Sequence, residues 1–480
     1  MINLVNALTK LPSETEWLEF KVNNYQPEMI GQAISALANS AALCGKNFAY
    51  IMWGIDDKTH EIVGTNKDFS NLKIGNQEIG NWLRCLLSPH ANFEFKMVEI
   101  NGKKVGVLTI DKACGHPVKF KRVEYIRVGS YTKMLCDHPA LQAKLWEVIR
   151  SSNFEEQTAK CNLNLNEVIS LLDYTTYFDL RGIAQPSTSD GIAYYLDQEN
   201  IVKKQDNGLF SITNLGAILF AKQLEIFPRI ERKAIRVIQY QGRNRLDMIR
   251  EELISKGYAN GFETLIHLIR AIIPSKEEIV DGIRRKCSAY PDIAIRELVA
   301  NALIHQDFSI SGTGPLIELF QDRIEITNPG IPLIKIDRII DNPPKSRNEK
   351  LASLMRKLRI CEELGTGWDK IIIYCELFQL PAPKIELYEE NTKITVFAER
   401  RYSDLLEDEK LWSCYLHACI KYVQNEYLTN KSLRDRFGLK QTSSAYISRL
   451  IKRAIKKGLI KQLKENTAPR HMKYIPYWAS

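Results

Sequence analysis

Phe48-Ala49-Tyr50-Ile51-Met52-Trp53-Gly54, running on into Ile55-Asp56-Asp57, sets the reading of the first third of the chain. An apolar run of this length closed by glycine is too short for a buried helix and reads as a strand covered on both faces. Upstream, Met29, Ile30, Ala33, Ile34, Leu37 and Ala38 recur at helical spacing. Downstream, Phe93–Ile100 and Val105–Ile110 read as strands joined by the turn Asn101–Gly102, with another strand at Tyr125–Val128. Residues 1–150 are therefore expected to form an α+β module.

Further along, residues 151–222 pattern as helices ending in strand-like Leu209–Ile212 and apolar Leu215–Phe220, the order of a small winged-helix-like connector. Residues 223–400 form a second α/β region, with helices near 260–272 and 292–305 and strands at 315–320, 323–327 and 393–398. The charged, unpatterned Glu399–Asp404 suits a linker, and 401–480 returns to helices in a basic module. The fold class expected is thus multidomain α+β, and 480 residues suit about three domains.

Composition narrows function. Hydrophobic residues make up 45% and charged residues 26%, as in globular chains, which excludes collagen-like, disordered and disulfide-scaffold classes. No apolar run approaches the ~18–20 residues of a membrane span, and Met1 opens onto a mixed amphipathic stretch rather than a secretory signal. Ten cysteines without CxxC pairs read as reduced thiols, so a cytoplasmic protein is expected. The net charge of +9 has one source. From Lys431 onward there are 13 Lys or Arg against Asp435 and Glu465, which leaves the preceding 430 residues two charges negative. A neutral body with a basic end points to a polyanionic partner.

Three constellations carry chemistry. The first is Glu14, Glu19 and Asp57, with Lys21 nearby: convergent carboxylates suit Mg²⁺ or Mn²⁺, which activates water and stabilises a pentavalent phosphate, and a lysine can neutralise that phosphate. Acidic residues flanking a strand are also the ordinary solvated surface. Glu14-x4-Glu19-Phe20-Lys21, the helix containing Ala36-Leu37-Ala38-Asn39-Ser40, the strand ending Gly54-Ile55-Asp56-Asp57, and Tyr125-Ile126-Arg127-Val128-Gly129-Ser130-Tyr131-Thr132 together resemble the Schlafen AlbA-type domain. The resemblance covers about the first 135 residues. It implies an AlbA-like α+β domain and, from the family's nucleases, metal-dependent cleavage of tRNA or rRNA by Glu14, Glu19 and Asp57. Many bacterial relatives carry only DNA-binding or transcriptional-regulator labels. Cys44-Gly45-Lys46-Asn47 departs from the Gly-Gly usual before the strand.

The second constellation is Arg296-Glu297-Leu298-Val299-Ala300-Asn301-Ala302-Leu303-Ile304-His305. On a helix Glu297, Asn301 and His305 fall on one stripe, and an amide one turn from a carboxylate can hold Mg²⁺ and orient water beside phosphates. With Asn328-Pro329-Gly330, Arg347-Asn348 and Gly365-Thr366-Gly367 it resembles the ATP-binding fold of the gyrase, histidine-kinase and MutL (GHKL) group over roughly 223–400. The resemblance implies a GHKL-like α/β sandwich in which Asn301 holds Mg²⁺, Glu297 positions water, and Gly365 and Gly367 approach the phosphates of ATP. Asn328 and Gly330 belong to the same site, with Asn328 where the wider group has the adenine-reading aspartate. No G-x4-G-K-[ST] loop occurs, so a motor of that kind is not expected.

The third constellation is C-terminal. Lys431–Phe437 and Thr442–Lys457 read as two helices about a Gly438 turn. Arg449, Lys452, Arg453, Lys456 and Lys457 lie opposite an apolar stripe, and Leu459-Ile460-Lys461 begins a wing. This suits binding of nucleic acid, duplex DNA included. Two weaker signals are Arg127 between Tyr125 and Tyr131, suited to an RNA backbone and stacked bases, and Cys114, His116, Cys136 and His138 as zinc candidates in unusual spacing. The leading expectation is a metal-dependent RNA endonuclease of bacterial defence or stress response with nucleotide as regulator. Its rivals are a nucleotide-sensing DNA-binding regulator and an ATPase driving assembly. Helices at 141–150 and 260–272 are candidates for homo-oligomer contacts.

Overall fold

The computed structural model describes all residues except 1, 90, 152–153, 206–207, 281–282, 344, 362–366, 465–467, 469–470 and 480. The chain is a multidomain α+β protein and divides into two compact units, residues 1–158 with 204–211, and residues 159–203 with 212–480. Among the described residues no helix is long and apolar enough to cross a membrane.

In the first unit the strand Phe48–Trp53 is buried along its whole length, as its unbroken apolar run dictates. It lies inside a four-stranded sheet, parallel to Leu18–Lys21 and antiparallel to Lys103–Asp111, which pairs in turn with Phe93–Ile100. The helix Pro27–Leu43 lays Ile30, Ile34, Leu37 and Ala41 into the same core as Ile51, Trp53, Leu108 and Ile110. Polar residues on this helix hold the second sheet, of Leu87–Ser88, Lys119–Phe120, Val123–Val128 and Tyr131–Met134. The Asn39 amide donates to the Val118 and Tyr125 carbonyls at 2.9 and 2.8 Å and accepts from the Val118 N–H at 2.8 Å. Ser35 Oγ donates to the Val118 carbonyl, and Ser40 Oγ accepts from the Arg127 N–H at 2.9 Å. Fully buried amides and hydroxyls are tolerated only when satisfied in this way. Gly31 is required by the same packing, because a Cβ there would sit 2.2 Å from the Phe120 ring.

The second unit opens with helices Leu165–Leu171, Tyr174–Arg181 and Ser189–Gln198, followed after Thr213 by Asn214–Phe220. Its centre is a six-stranded sheet in the order Met248–Ile254, Ile235–Tyr240, Leu316–Leu319, Arg323–Pro329, Asn391–Phe397, Lys384–Tyr388. Only Ile235–Tyr240 and Leu316–Leu319 pair parallel. Helices Tyr258–Ile272, Asp292–Ile304 and Gly367–Leu377 pack with one another and against the sheet, making an α/β sandwich. The edge strand Met248–Ile254 is exposed through Met248, Ile249 and Leu253, and Leu246 just before it is 84% exposed. At the C-terminus Glu407–Val423, Asn430–Arg436 and Ser444–Lys456 are followed by an antiparallel hairpin of Ile460–Gln462 and Tyr474–Pro476.

Candidate functional site

In the first unit the acidic residues meet a cation of the chain itself. Glu14 Oε1 accepts from the Phe20 N–H at 2.7 Å, and Glu14 Oε2 lies 3.3 Å from Arg127 Nη2. Glu19, one position before Phe20 on the strand Leu18–Lys21, places Oε2 3.2 Å from Arg127 Nη1 and Oε1 2.7 Å from Lys21 Nζ. The Arg127 side chain is 1% exposed. Burial raises the Glu14 carboxyl above its ordinary range, and the Phe20 N–H and Arg127 oppose that rise. Arg127 therefore does not offer its guanidinium to an RNA backbone: two carboxylates already hold it. Asp57 is exposed in the turn after the buried strand. Among the described residues no group of three or more His, Cys, Asp or Glu side chains is placed to hold a metal ion. Glu14, Glu19 and Asp57 thus do not gather as the spacing led one to expect. The oxygens of the glutamate pair are engaged by Arg127, Lys21 and Phe20, so this arrangement does not fit a divalent ion. Cys114, His116, Cys136 and His138 do not gather either.

In the second unit the sequence candidates do converge. A cavity of about 470 Å³ is lined by Glu297, Asn301 and His305 from one helix, by Asn328 and Gly330 from the end of the strand Arg323–Pro329, and by Gly367. That volume is within the range of small-molecule sites. Glu297 is buried, and burial holds its carboxyl above the ordinary range against Lys370 and Arg296. Asn301 Nδ2 is buried without a hydrogen-bond partner. Asn328 is 5% exposed, and its amide makes one long contact, 3.5 Å to the Pro329 carbonyl. Gly367 backs onto both helix residues: a Cβ there would sit 3.0 Å from Glu297 Oε1 and 3.4 Å from Asn301 Nδ2. Crowding by protein atoms and then Arg347 hold the His305 imidazole down to about 4, so it is neutral near pH 7. Burial pushes the Cys361 thiol, also on the lining, up to about 12. Gly365 lies outside the described residues.

The neighbouring motif residues build the frame. Arg347 donates to the His305 and Ile331 carbonyls at 3.3 and 2.9 Å and sits against Gly330, whose φ of 109° suits glycine. Asn348 donates to the Ile304 and Gln306 carbonyls, both at 2.7 Å, and so satisfies the end of the helix that carries Glu297 and Asn301. The sequence did not announce the apolar wall of Ile331, Leu333, Ile334, Ile385 and Ile394. An apolar slot with the nearly free Asn328 amide at its edge suits a planar heterocycle, and the orphaned Asn301 amide beside the Glu297 carboxylate suits the polar end of such a ligand. An anionic tail would meet Lys345, Arg347 and Arg356 on the same lining.

On the C-terminal helix Ser444–Lys456 the apolar residues Ile447, Leu450, Ile451 and Ala454 are buried, and Arg449 and Lys452 are exposed opposite them. Lys456 is exposed too. Arg449 lies over the Tyr446 ring at 4.6 Å. The remaining two predicted cations are engaged within the module: Arg453 pairs with Glu407, and Lys457 pairs with Asp408 at 2.9 Å.

Residues 14–136 match the family model "Schlafen, AlbA_2", and residues 312–396 match "Putative ATP-dependent DNA helicase recG C-terminal". No curated protein matches the chain. The crystal structure of the DIP2311 protein from Corynebacterium diphtheriae is similar at 15% identity and a TM-score of 0.43, covering 94% of this chain and 92% of that one. Motifs, sheet order and matched residues together give the chain a Schlafen AlbA_2 domain followed by an ATPase-like domain of the HATPase_c_4 family.

Proposed function

We propose that this is a nucleic-acid-binding protein governed by a nucleotide held in the Glu297–Asn301–Asn328 pocket. The observation that carries the reading is the convergence of one helix, one strand end and the start of a second helix on one cavity with an unpartnered amide and a glycine floor. Asn301 and Glu297 would lie beside Mg²⁺ and the phosphates, Gly367 leaves them room, and Asn328 faces the base. The bound nucleotide supplies a phosphoanhydride, and Glu297 is the group placed to orient water toward it. The Schlafen domain and the basic helix supply the nucleic-acid surfaces. Titration of the protein with a fluorescent ATP analogue tests the pocket: wild type binds saturably and Gly367→Val loses at least tenfold in affinity. Equal binding by both would remove the pocket from the reading.

The alternative is a metal-dependent endonuclease acting on tRNA-like RNA in bacterial defence or stress response. Its support is the match of residues 14–136 to the Schlafen AlbA_2 model, and it requires Arg127 to give way before Glu14 and Glu19 could meet a metal. Incubation with total tRNA, with Mn²⁺ or EDTA, alongside Glu19→Ala, separates the two. Metal-dependent fragments lost in the variant establish the nuclease. Intact tRNA together with a salt-sensitive DNA shift leaves a nucleotide-sensing regulator.

A further inference from the structure

The stretch 331–343 has two edges that do different things. Along one edge Ile331, Pro332, Leu333, Ile334, Ile339 and Asn342 line the nucleotide pocket. The other edge is gripped by the C-terminal module. The Tyr415 hydroxyl donates to the Asp337 carbonyl, and the Tyr477 hydroxyl donates to the Asp337 carboxylate. The Arg338 guanidinium lies over the Trp478 ring at 4.8 Å and is oriented there by Asp341 at 2.8 and 2.9 Å. Trp478 Nε1 in turn donates to Tyr415 Oη at 3.1 Å, and Ile340 packs against the module's core.

A second connection runs in parallel. The helix Gly367–Leu377 starts at the pocket floor, and its Ile372 sits inside the core formed by the three C-terminal helices. Near its far end Glu376 lies 3.2 Å from Arg436 Nε and 2.8 Å from His417 Nδ1, and both of those side chains are buried. Arg436 Nη2 also donates to the Leu380 carbonyl at 2.7 Å, just past that helix. The module that carries Arg449, Lys452 and Lys456 is thus built onto two elements that also bound the pocket.

We infer that nucleotide in the pocket and duplex nucleic acid on the Ser444–Lys456 helix are energetically coupled, with the 331–343 strap and its Asp337–Tyr477 and Arg338–Trp478 contacts as the link. The inference rests on the pocket reading given above. A ligand that fills the cavity touches Ile331–Ile334, Ile339 and Asn342, so its affinity depends on where the strap lies. Any strap position it selects is felt by the aromatic cluster through Asp337 and Arg338. Two ligands that bias one element must alter each other's affinity by the same factor.

The test measures affinity of the full chain for a fluorescent DNA duplex with and without saturating non-hydrolysable ATP analogue, and for the analogue with and without duplex. Wild type is expected to show a reciprocal shift of roughly fivefold or more, the lower end of ordinary couplings. The combined variant Tyr477→Phe, Arg338→Gln touches neither the pocket lining nor the basic helix face. It should bind each ligand alone as wild type does while the shift collapses toward unity. A matched thermal melt certifies its fold, and Tyr477→Phe alone should give an intermediate shift. Wild type binding both ligands with no mutual effect overturns the coupling and leaves the pocket reading intact, and a variant that keeps the full shift overturns the strap contacts as its link. Failure of wild type to bind the analogue at all removes the pocket reading and the coupling with it.

Discussion

Arg127 is the residue on which the first unit turns. With the half-buried Glu14 and the buried Glu19 both held against it, replacing it leaves Glu14 without its cation and Glu19 with Lys21 alone. Arg127→Met is expected to cost about 3–5 kcal/mol, as removal of one partner from a buried ion group does. The Glu14 carboxyl, raised by burial and opposed by Arg127, would be raised further above its unfolded value once Arg127 is gone. Its penalty is then full well above the raised value and shrinks as pH falls toward the unfolded one, about 4. Urea unfolding at about pH 5 and about pH 7.5 should show the smaller deficit at the lower pH. An equal deficit at both would mean that Arg127 acts by packing alone. Lys233 gives a second pH handle of opposite kind. Burial lowers its ammonium to about 8, though the Ile310 and Thr313 carbonyls accept from it at 2.6 and 3.1 Å. A lysine whose folded pKa lies below its unfolded value is costly below the folded value and recovers stability as pH rises between the two. The stability difference between wild type and Lys233→Met should therefore move toward wild type from about pH 7.5 to about pH 10.

Among elements, those whose burial follows local periodicity were legible in the sequence. The strand Phe48–Trp53, the hairpin across Asn101–Gly102 and the helix Asp292–Ile304 lie where apolar spacing put them. The partners of polar side chains were not legible, because spacing along a chain carries no information on contacts across it. Arg127 reaches Glu14 across 113 positions. Asp57 follows its strand as expected, yet its turn leaves it outside the glutamate pair. In the C-terminal helix the periodicity located five cations correctly on the side away from the core, but only the fold shows that Glu407 and Asp408 meet Arg453 and Lys457. This divides the expected binding effects. Changing Arg449, Lys452 and Lys456 together to alanine should flatten the dependence of duplex affinity on log salt by about three units. Changing Arg453 and Lys457 should do less, since their charge is already partly compensated. Equal flattening in both variants would show that the pairs with Glu407 and Asp408 open when nucleic acid binds.

For the whole molecule, the multidomain α+β character and the concentration of positive charge at the C-terminus were readable from patterning and counting. What counting missed was that the basic module shares a core with the helix Gly367–Leu377, a long-range packing fact set by Ile372, Ala382 and Leu411 among others. Gly31 shows how tightly such packing constrains composition: Gly31→Ala drives a methyl into the Phe120 ring and should lower the midpoint of urea unfolding, with overpacking of this kind costing about 1–3 kcal/mol. The exposed strand Met248–Ile254 has a consequence for the protein as a solute. Its outer backbone groups and the uncovered Ile249 and Leu253 form a seam on which chains can add to one another, and Arg250, Glu251 and Glu252 are the charges that resist this. High salt, which screens those charges, should therefore lower colloidal stability, and Ile249→Lys should restore it, as light scattering of concentrated samples would record.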